Sequence, residues 1–238
     1  MTRVGADVYD ALMEVAEKAF PEEGCAFVID NGVSLIVIPL ENKSQTPKVS
    51  FCVDPAAYIK YHDSLVAVMH SHPGGGCLPS EEDREGCNSA GVPYLIVSTP
   101  SGEVYRLRPD GWSAPFEGNK YCYGLFDCFS LVQDYYRVVL GEVLECVRPS
   151  LDGWTSRGGW MVQNMYMGMG FKEIPQDAPL AHGDVLLLSG FGSRMHGHFG
   201  VLTDSLHVLH QEPCELSRMD SYTDVLKRMT KKVYRYEG

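Results

Sequence analysis

Long apolar runs are missing from this sequence, since no segment approaches the ~18 consecutive apolar residues that mark a membrane-spanning helix. A basic stripe is missing too, and the formal net charge is −11. Proteins that bind nucleic acid neutralise phosphates with clustered Lys and Arg. We therefore expect neither a membrane span nor a nucleic-acid partner.

Regular cysteine spacing is also absent. The chain has eight cysteines, but none forms a CxxC pair and their intervals are irregular. A disulfide framework or a structural zinc module normally shows paired, regular spacing. The first twenty residues carry acids through a helical pattern rather than the features of a signal peptide. We expect a chain that is synthesised in a reducing compartment.

The first half alternates helical and strand patterns. Apolar residues recur at helical spacing over 6–20, and two strand patterns over 25–38 flank an Asn-Gly turn. A strand over 65–70 precedes a helix, and a second hairpin follows over 94–108. Residues 49–53 favour a further strand. We predict an α/β sheet domain that closes near residue 108.

His70 ends the strand pattern of 65–70, and His72 follows two residues later. Side chains alternate faces along a strand, so both imidazoles project to one side and can bind the same metal ion. Asp83 lies in the first turn of a helix capped by Ser80, where its carboxylate can face the strand end. Three protein ligands leave a fourth position for water, as in catalytic zinc sites. The alternative is a surface loop with incidental histidines, but HxHP followed by SxxD favours the metal site.

Glu23 lies at a helix-to-strand junction, where a carboxylate is by itself more often a solvated turn residue. Glu23 ahead of an apolar strand, followed by HxHPxxxxxPSxxD, resembles the JAMM (MPN-type) zinc isopeptidase domain over roughly residues 1–110. The resemblance implies a cytidine-deaminase-like α/β fold and Glu23 as the base that holds the water. It implies Ser80 as the donor to the developing oxyanion. The Zn²⁺ ligands that it implies are His70, His72 and Asp83.

The second half begins after a linker and ends in a basic strand pattern. Residues 109–118 are dense in turn formers and have no apolar periodicity, which indicates a linker. We predict two domains, 1–112 and 117–238. Residues 231–236 predict a closing strand whose charges favour an exposed sheet edge.

Cys128 stands at or near the start of a helical pattern, where the helix dipole and free N–H groups stabilise a thiolate. An isolated cysteine in such a place is more often a buried structural residue. His198 and His210 fall in two strand patterns that we expect to be antiparallel neighbours, with the imidazoles side by side. One imidazole then serves as the base and the other orients it, as an activated nucleophile requires.

The segments YxYG…DC, GDVLLL and HFGV, with the second histidine after them, resemble the NlpC-type cysteine peptidases, papain-like enzymes that cut peptidoglycan stem peptides. The resemblance covers roughly 117–238 and implies a papain-like α+β fold. The catalytic residues that it implies are Cys128 as the nucleophile, His198 as the general base, His210 as the orienting residue and Tyr121 in the oxyanion hole. DCFSLV stands where DCSGLV is usual, so Phe129 and Ser130 change the start of the helix.

A JAMM-like domain followed by an NlpC-like domain resembles the tail tip assembly proteins of lambdoid tailed phages. The resemblance implies a bifunctional hydrolase of the virion tail, made in the host cytoplasm and acting at the host cell wall or periplasm. Its implied partners are peptidoglycan stem peptides and other tail tip proteins. Two alternatives remain: a structural tail assembly factor with one or both sites inactive, and a peptidase acting on ubiquitin-like conjugates.

Overall fold

The structure is a computed structural model that describes residues 7–156, 160–189 and 198–238. The chain divides into two compact units. The first contains the described residues up to Trp112 together with Cys122–Leu125 and Cys146–Leu151, and the second contains Ser113–Tyr121, Phe126–Glu145 and the described residues of Asp152–Gly238. In the described part of the chain, no helix combines the length and apolar character needed to cross a membrane.

The first unit is a mixed α/β unit built on one five-stranded sheet. Its helices are α1 (Asp7–Ala19), α2 (Pro55–Tyr61) and α3 (Glu81–Ala90). Its strands are β1 (Cys25–Asp30), β2 (Leu35–Leu40), β3 (Leu65–His72), β4 (Tyr94–Ser98) and β5 (Val104–Leu107). The strand order is β2-β1-β3-β4-β5, in which β3 and β4 run parallel and the other neighbours are antiparallel. Because α3 connects the parallel pair, it begins close to the carboxyl end of β3.

Local chemistry explains the start of this sheet. Leu12, Val15 and Ala16 give α1 a buried face, and a Cβ atom at Gly24 would lie 2.8 Å from the carbonyl oxygen of Val15. The glycine therefore lets the chain pass close to α1 as it enters β1. The β1–β2 turn is closed by Asn31, whose Oδ1 accepts hydrogen bonds from the N–H groups of the two residues before β2. The predicted helix and hairpin are confirmed.

The predicted strand over 49–53 is wrong, because residues 41–54 form a loop without strand pairing. Asn42 replaces the missing ladder: its Nδ2 donates to the carbonyl oxygens of Glu23 and Ser50, and its Oδ1 accepts from the N–H of Ser44 and Cys52. One amide side chain thus satisfies backbone groups that strand pairing would otherwise bond.

The second unit is built on a six-stranded sheet in which all neighbouring strands are antiparallel. Its strands are β6 (Phe171–Ile174), β7 (Val185–Leu188), β8 (His198–Leu202), β9 (His207–His210), β10 (Arg218–Ser221) and β11 (Thr230–Tyr236), in the order β10-β9-β8-β7-β11-β6. The helices after the linker are α4 (Cys128–Tyr135), which continues as a π-helical turn over Tyr136–Leu140, α5 (Leu151–Ser156), α6 (Trp160–Gly168) and α7 (Asp224–Met229). Helix α4 packs against β8 and β9.

The closing strand exists, but its predicted place at a sheet edge is wrong. Strand β11 lies between β7 and β6. Two of its basic side chains form ion pairs: Lys232 with Glu173 at 2.7 Å, and Arg235 with the buried Asp184 at 2.7 Å. Charge along a strand therefore marks ion pairs here and not an exposed edge.

Candidate functional sites

The carboxyl end of β3 presents His70 and His72 on one face, as strand alternation predicts. The Nε2 atoms of the two rings lie 3.2 Å apart. Oδ1 of Asp83 lies 2.9 Å from Nε2 of His70, and Oδ2 lies 3.6 Å from Nε2 of His72. The three residues form a converging group of ligand atoms that could hold a metal ion.

Asp83 reaches the histidines because it belongs to the capping box at the start of α3. The N–H of Asp83 donates to Oγ of Ser80 at 3.1 Å, and the N–H of Ser80 donates to Oδ2 of Asp83 at 2.8 Å. This reciprocal pair fixes the carboxylate while it satisfies the first N–H groups of the helix. Burial by itself raises the pKa of Asp83, but the hydrogen bonds from His70 and His72 outweigh it and hold the pKa far below its usual range.

The two imidazole rings are held in different ways. His70 is fully buried and stacks on Phe51, with ring centroids 4.5 Å apart and an interplanar angle of 17°. Burial lowers the pKa of His70, which favours the neutral ring that a metal needs. His72 is half-buried, and its Nδ1 lies 3.1 Å from the carbonyl oxygen of Gly76. A proton on this Nδ1 leaves the Nε2 lone pair directed at the converging group.

Glu23 lies beside the converging group with only 6% of its surface exposed. Burial raises the pKa of Glu23 to about 7; the charge of His72 opposes this shift and that of Asp83 adds to it. Its backbone N–H donates to the carbonyl oxygen of Pro47 at 2.7 Å. A cavity of about 710 Å³ runs along Glu23, His72, Ser80 and Asp83, so all four are accessible from one groove.

Ser71 is a positioning residue that the sequence pattern did not reveal. It lies between the two histidines and faces the opposite side of β3, where it is fully buried. Its Oγ accepts from the N–H of Gly24 at 2.9 Å, and its own N–H donates to the carbonyl oxygen of Gly24 at the same distance. The residue next to Glu23 is thus tied to the strand that carries the histidines.

The second site begins at Cys128, the first residue of α4. Asp127 caps this helix, since its Oδ1 accepts from the N–H of Ser130 at 2.8 Å. Cys128 is 5% exposed and forms no disulfide. All eight cysteines lie in described residues and none forms a disulfide. The dipole of a helix favours negative charge at its first residue.

His198 on β8 and His210 on β9 meet across the sheet. Nε2 of His198 lies 3.1 Å from Nδ1 of His210. The two residues reach each other diagonally because Gly200 stands opposite His210 in the ladder. A Cβ atom at Gly200 would collide with Cγ1 of Val208 and lie 3.2 Å from Cβ of His210, so the missing side chain makes room for the imidazole pair.

Burial, together with the charges of His210 and Arg218, lowers the pKa of His198 to about 3. His198 is therefore a neutral imidazole at neutral pH, with one unprotonated ring nitrogen. Beyond His210, Oδ2 of Asp220 lies 3.0 Å from Nε2 of His210. Sequence reasoning missed Asp220, and the only available signal was an acid ten residues after the second histidine.

Tyr121 is half-buried on the segment Ser113–Tyr121, which belongs to the second unit with Cys128. Its role in an oxyanion hole stays a prediction. The other predicted residues fall into two groups, each within one unit: His70, His72, Asp83, Ser80 and Glu23 in the first, and Cys128, His198 and His210 in the second.

The first part of the chain matches a known protein family. Residues 5–109 match the Prok-JAB family, described as prokaryotic homologs of the JAB domain. The chain therefore contains a JAB/MPN-type domain, which is the domain type of an isopeptidase-like family. The match coincides with the sheet that carries the converging group.

The relatives extend the match to the whole chain. The tail tip assembly protein K of Escherichia phage N15 is 30% identical over 96% of this chain and 93% of its own length. The protein of the same name from Escherichia phage lambda is 31% identical over 73% of this chain and 83% of its own length. A probable TtuB-protein conjugate cleaving protease of Thermus thermophilus is 34% identical over 38% of this chain and 65% of its own length. The chain belongs to the family of tail tip assembly proteins K.

Proposed function

We propose that the chain is a tail tip assembly protein with two hydrolytic sites. The first unit is a zinc-dependent peptidase or isopeptidase, and the second is a cysteine peptidase that cuts peptidoglycan stem peptides. The observation that carries the proposal is that each predicted residue set lies within one unit. In the first unit Asp83 contacts His70 and His72, and in the second His198 contacts His210.

The spacing of the ligand atoms supports zinc in the first unit. In a tetrahedral site with bonds of about 2.0–2.1 Å, neighbouring ligand atoms lie about 3.4 Å apart. Nε2 of His70 lies 3.2 Å from Nε2 of His72 and 2.9 Å from Oδ1 of Asp83, and the other carboxylate oxygen, Oδ2, lies 3.6 Å from Nε2 of His72. The donor set would be two imidazole nitrogens and one carboxylate, and His72 and Asp83 line the groove.

Zinc bound there supplies a Lewis acid that acidifies water and polarises a carbonyl oxygen. The carboxylate of Glu23 accepts a proton from the attacking water and delivers it to the leaving nitrogen, so that the amide C–N bond breaks. Oγ of Ser80 accepts from the N–H of Asp83, which leaves its hydroxyl proton for the substrate oxygen.

In the second unit the thiol of Cys128 transfers its proton to His198, and the thiolate attacks the carbonyl carbon of a stem-peptide amide. The C–N bond breaks as His198 returns the proton to the leaving amine. Water then hydrolyses the thioester and regenerates the thiol, with Tyr121 assigned to the oxyanion hole. The names of the phage relatives support a tail setting, in which the chain, made in the host cytoplasm, meets other tail tip proteins in the virion and acts at the host wall.

A second candidate for the first unit is cleavage of protein conjugates, because the Thermus relative is named for that activity. This candidate uses the same residues, Glu23, Ser80 and the three ligands, on a different isopeptide substrate. A third candidate, from another functional class, is a structural assembly factor whose sites are inactive. The tail setting supports it equally, so only an activity measurement separates it from the hydrolase.

Digestion of purified sacculi tests the cysteine site. The full chain and its Cys128→Ala and Glu23→Gln variants are compared by release of soluble muropeptides and of new amino groups. We expect the wild type and Glu23→Gln to digest the wall, and Cys128→Ala to be slower by at least about 10³-fold, because it lacks the nucleophile. Equal digestion by the wild type and Cys128→Ala would remove the cysteine peptidase. No digestion by any form would favour the assembly factor.

A further inference from the structure

Asp220 and Arg218 on β10 form a polar network behind His210. Oδ2 of Asp220 lies 3.0 Å from Nε2 of His210 and accepts a hydrogen bond from Nε of Arg218, also at 3.0 Å. Nη2 of Arg218 donates to Oε1 of Glu212 at 3.1 Å. Arg218 pairs directly with His210 in the β9–β10 ladder, so the register of β10 places the carboxylate at the ring. Neither the sequence pattern nor the proposed catalytic set assigns these residues a role.

We propose that Asp220 is a positioning residue of the cysteine site, which fixes the tautomer of His210 and, through it, the tautomer of His198. The proposal rests on the proposed role of Cys128 and adds to it a hydrogen-bonded series of three side chains, those of Asp220, His210 and His198. Asp220 touches neither the substrate nor the reacting sulfur, and it acts on the base through one intervening imidazole.

The proton positions on His210 and His198 follow from the charge of Asp220. An ionised Asp220 can only accept, so Nε2 of His210 must carry the proton at that contact. A neutral His210 then has a lone pair on Nδ1, which can only accept from Nε2–H of His198. His198 is left with an unprotonated Nδ1. That atom is buried and has no hydrogen-bond partner among the described residues, so it is free to take a proton.

Charge and burial support this arrangement. Burial by itself raises the pKa of Asp220, but the contacts with His210 and Arg218 outweigh it and lower the pKa. Burial lowers the pKa of His210, which favours one proton rather than two on that ring. The charged groups around the pair are Glu212, Arg218 and Asp220, and Arg218 is bonded to both acids. The network therefore favours a single neutral tautomer of His210.

The same side chains also fit a second metal group, since ligand atoms of His198, His210 and Glu212 lie within 4.8 Å of one another. Metal binding there would break the His198–His210 hydrogen bond and compete with Arg218 for Glu212. The hydrogen-bonded chain satisfies these groups without an ion. We therefore favour a proton-ordering network over a metal site.

Imidazole ¹⁵N NMR of the full chain tests the proposal directly. Nitrogen shifts distinguish protonated from unprotonated ring nitrogens, and the signals are assigned with His198→Gln and His210→Gln. In the wild type we expect Nε2–H and unprotonated Nδ1 in both rings. Asp220→Asn should give His210 a mixture of tautomers, whereas Asp224→Asn, a surface acid of the same unit, should leave both spectra unchanged. Nδ1–H on either ring of the wild type would overturn the proposal.

Two rates measure the consequence for Cys128. In Asp220→Asn we expect alkylation of Cys128 by iodoacetamide at pH 7 to slow by at least tenfold, and kcat on sacculi to fall by about 10²–10⁴-fold with KM unchanged. Asp220→Glu retains a carboxylate and should recover part of both rates. Wild-type rates in Asp220→Asn would overturn this proposal and leave the cysteine peptidase standing. Wild-type digestion by Cys128→Ala would instead remove the peptidase itself, whatever tautomers the spectra show.

Discussion

Glu23 is a buried carboxyl group next to a second carboxyl group, that of Asp83, and its backbone is fixed on both sides. Asn42 donates to its carbonyl oxygen, and Ser71 holds the following glycine. Such a placement costs stability whenever the side chain is ionised and no cation is near. The proposed proton-transfer role of Glu23 would account for this placement.

The direction of the pKa shift determines how this cost in stability depends on pH. The pKa is about 7 in the folded chain against an ordinary value of 4.5, so the folded state binds more protons between these pH values. The stability associated with protonated Glu23 is fully present below the ordinary pKa of 4.5 and is lost as pH rises to the folded pKa of about 7.

We therefore expect Glu23→Gln to stabilise the metal-free protein in a pH-dependent way. The gain over the wild type should be near zero at pH 5 and about 1–2 kcal/mol at pH 8, after allowance for partial solvent screening. Chemical denaturation in the presence of a chelator measures it. The control is Glu22→Gln at the exposed neighbouring position, which should give no such trend. A gain at position 23 that is equal at both pH values would contradict the buried, proton-binding carboxyl.

At the scale of elements, β3 and the start of α3 were predictable because both obey local rules. Alternation along a strand puts His70 and His72 on one face, and the capping box puts Asp83 at the first turn of a helix. These rules depend only on residues that are close together in the sequence. The loop over 41–54 was not predictable in this way, since a single side chain, Asn42, organises it through contacts with distant backbone groups.

The position of strand β10 in the second site could not be predicted from the sequence either. It has four residues, RMDS, without apolar alternation, and its position next to β9 decides which side chain meets His210. The imidazole pair was predictable from two neighbouring strands, but its third member depended on a register that sequence does not give.

Gly200 offers an element-scale prediction. A side chain there would collide with Val208, so Gly200→Ala should displace β8 from β9, separate His198 from His210, and lower the free energy of unfolding by about 1–3 kcal/mol. Sacculus digestion should fall with it. The matched control is Gly200→Ala with Val208→Ala, which removes the colliding methyl group and should recover part of the loss. Additive effects of the two substitutions would show that this contact does not set the imidazole geometry.

At the scale of the whole molecule, the chain is not divided at one linker. Segments after residue 112 return to the first unit, where Tyr123 donates to the carbonyl oxygen of Pro149 and the buried Arg148 lies over the Tyr123 ring. The backbone of Arg148 also pairs with Val104 on β5. Composition revealed the turn-rich linker, but these returns depend on long-range packing. The full chain is therefore the right protein for every experiment above.

The central claim is that the chain has one metal site and one thiol site, although two histidine groups among the described residues have ligand atoms close enough for a metal. Zinc content per chain, measured by mass spectrometry of the purified full chain, tests this most directly. We expect about one zinc in the wild type, almost none in His72→Ala with Asp83→Asn, and about one in His210→Gln. A metal-free wild type, or zinc that is lost from His210→Gln and kept in the His72/Asp83 variant, would contradict the account.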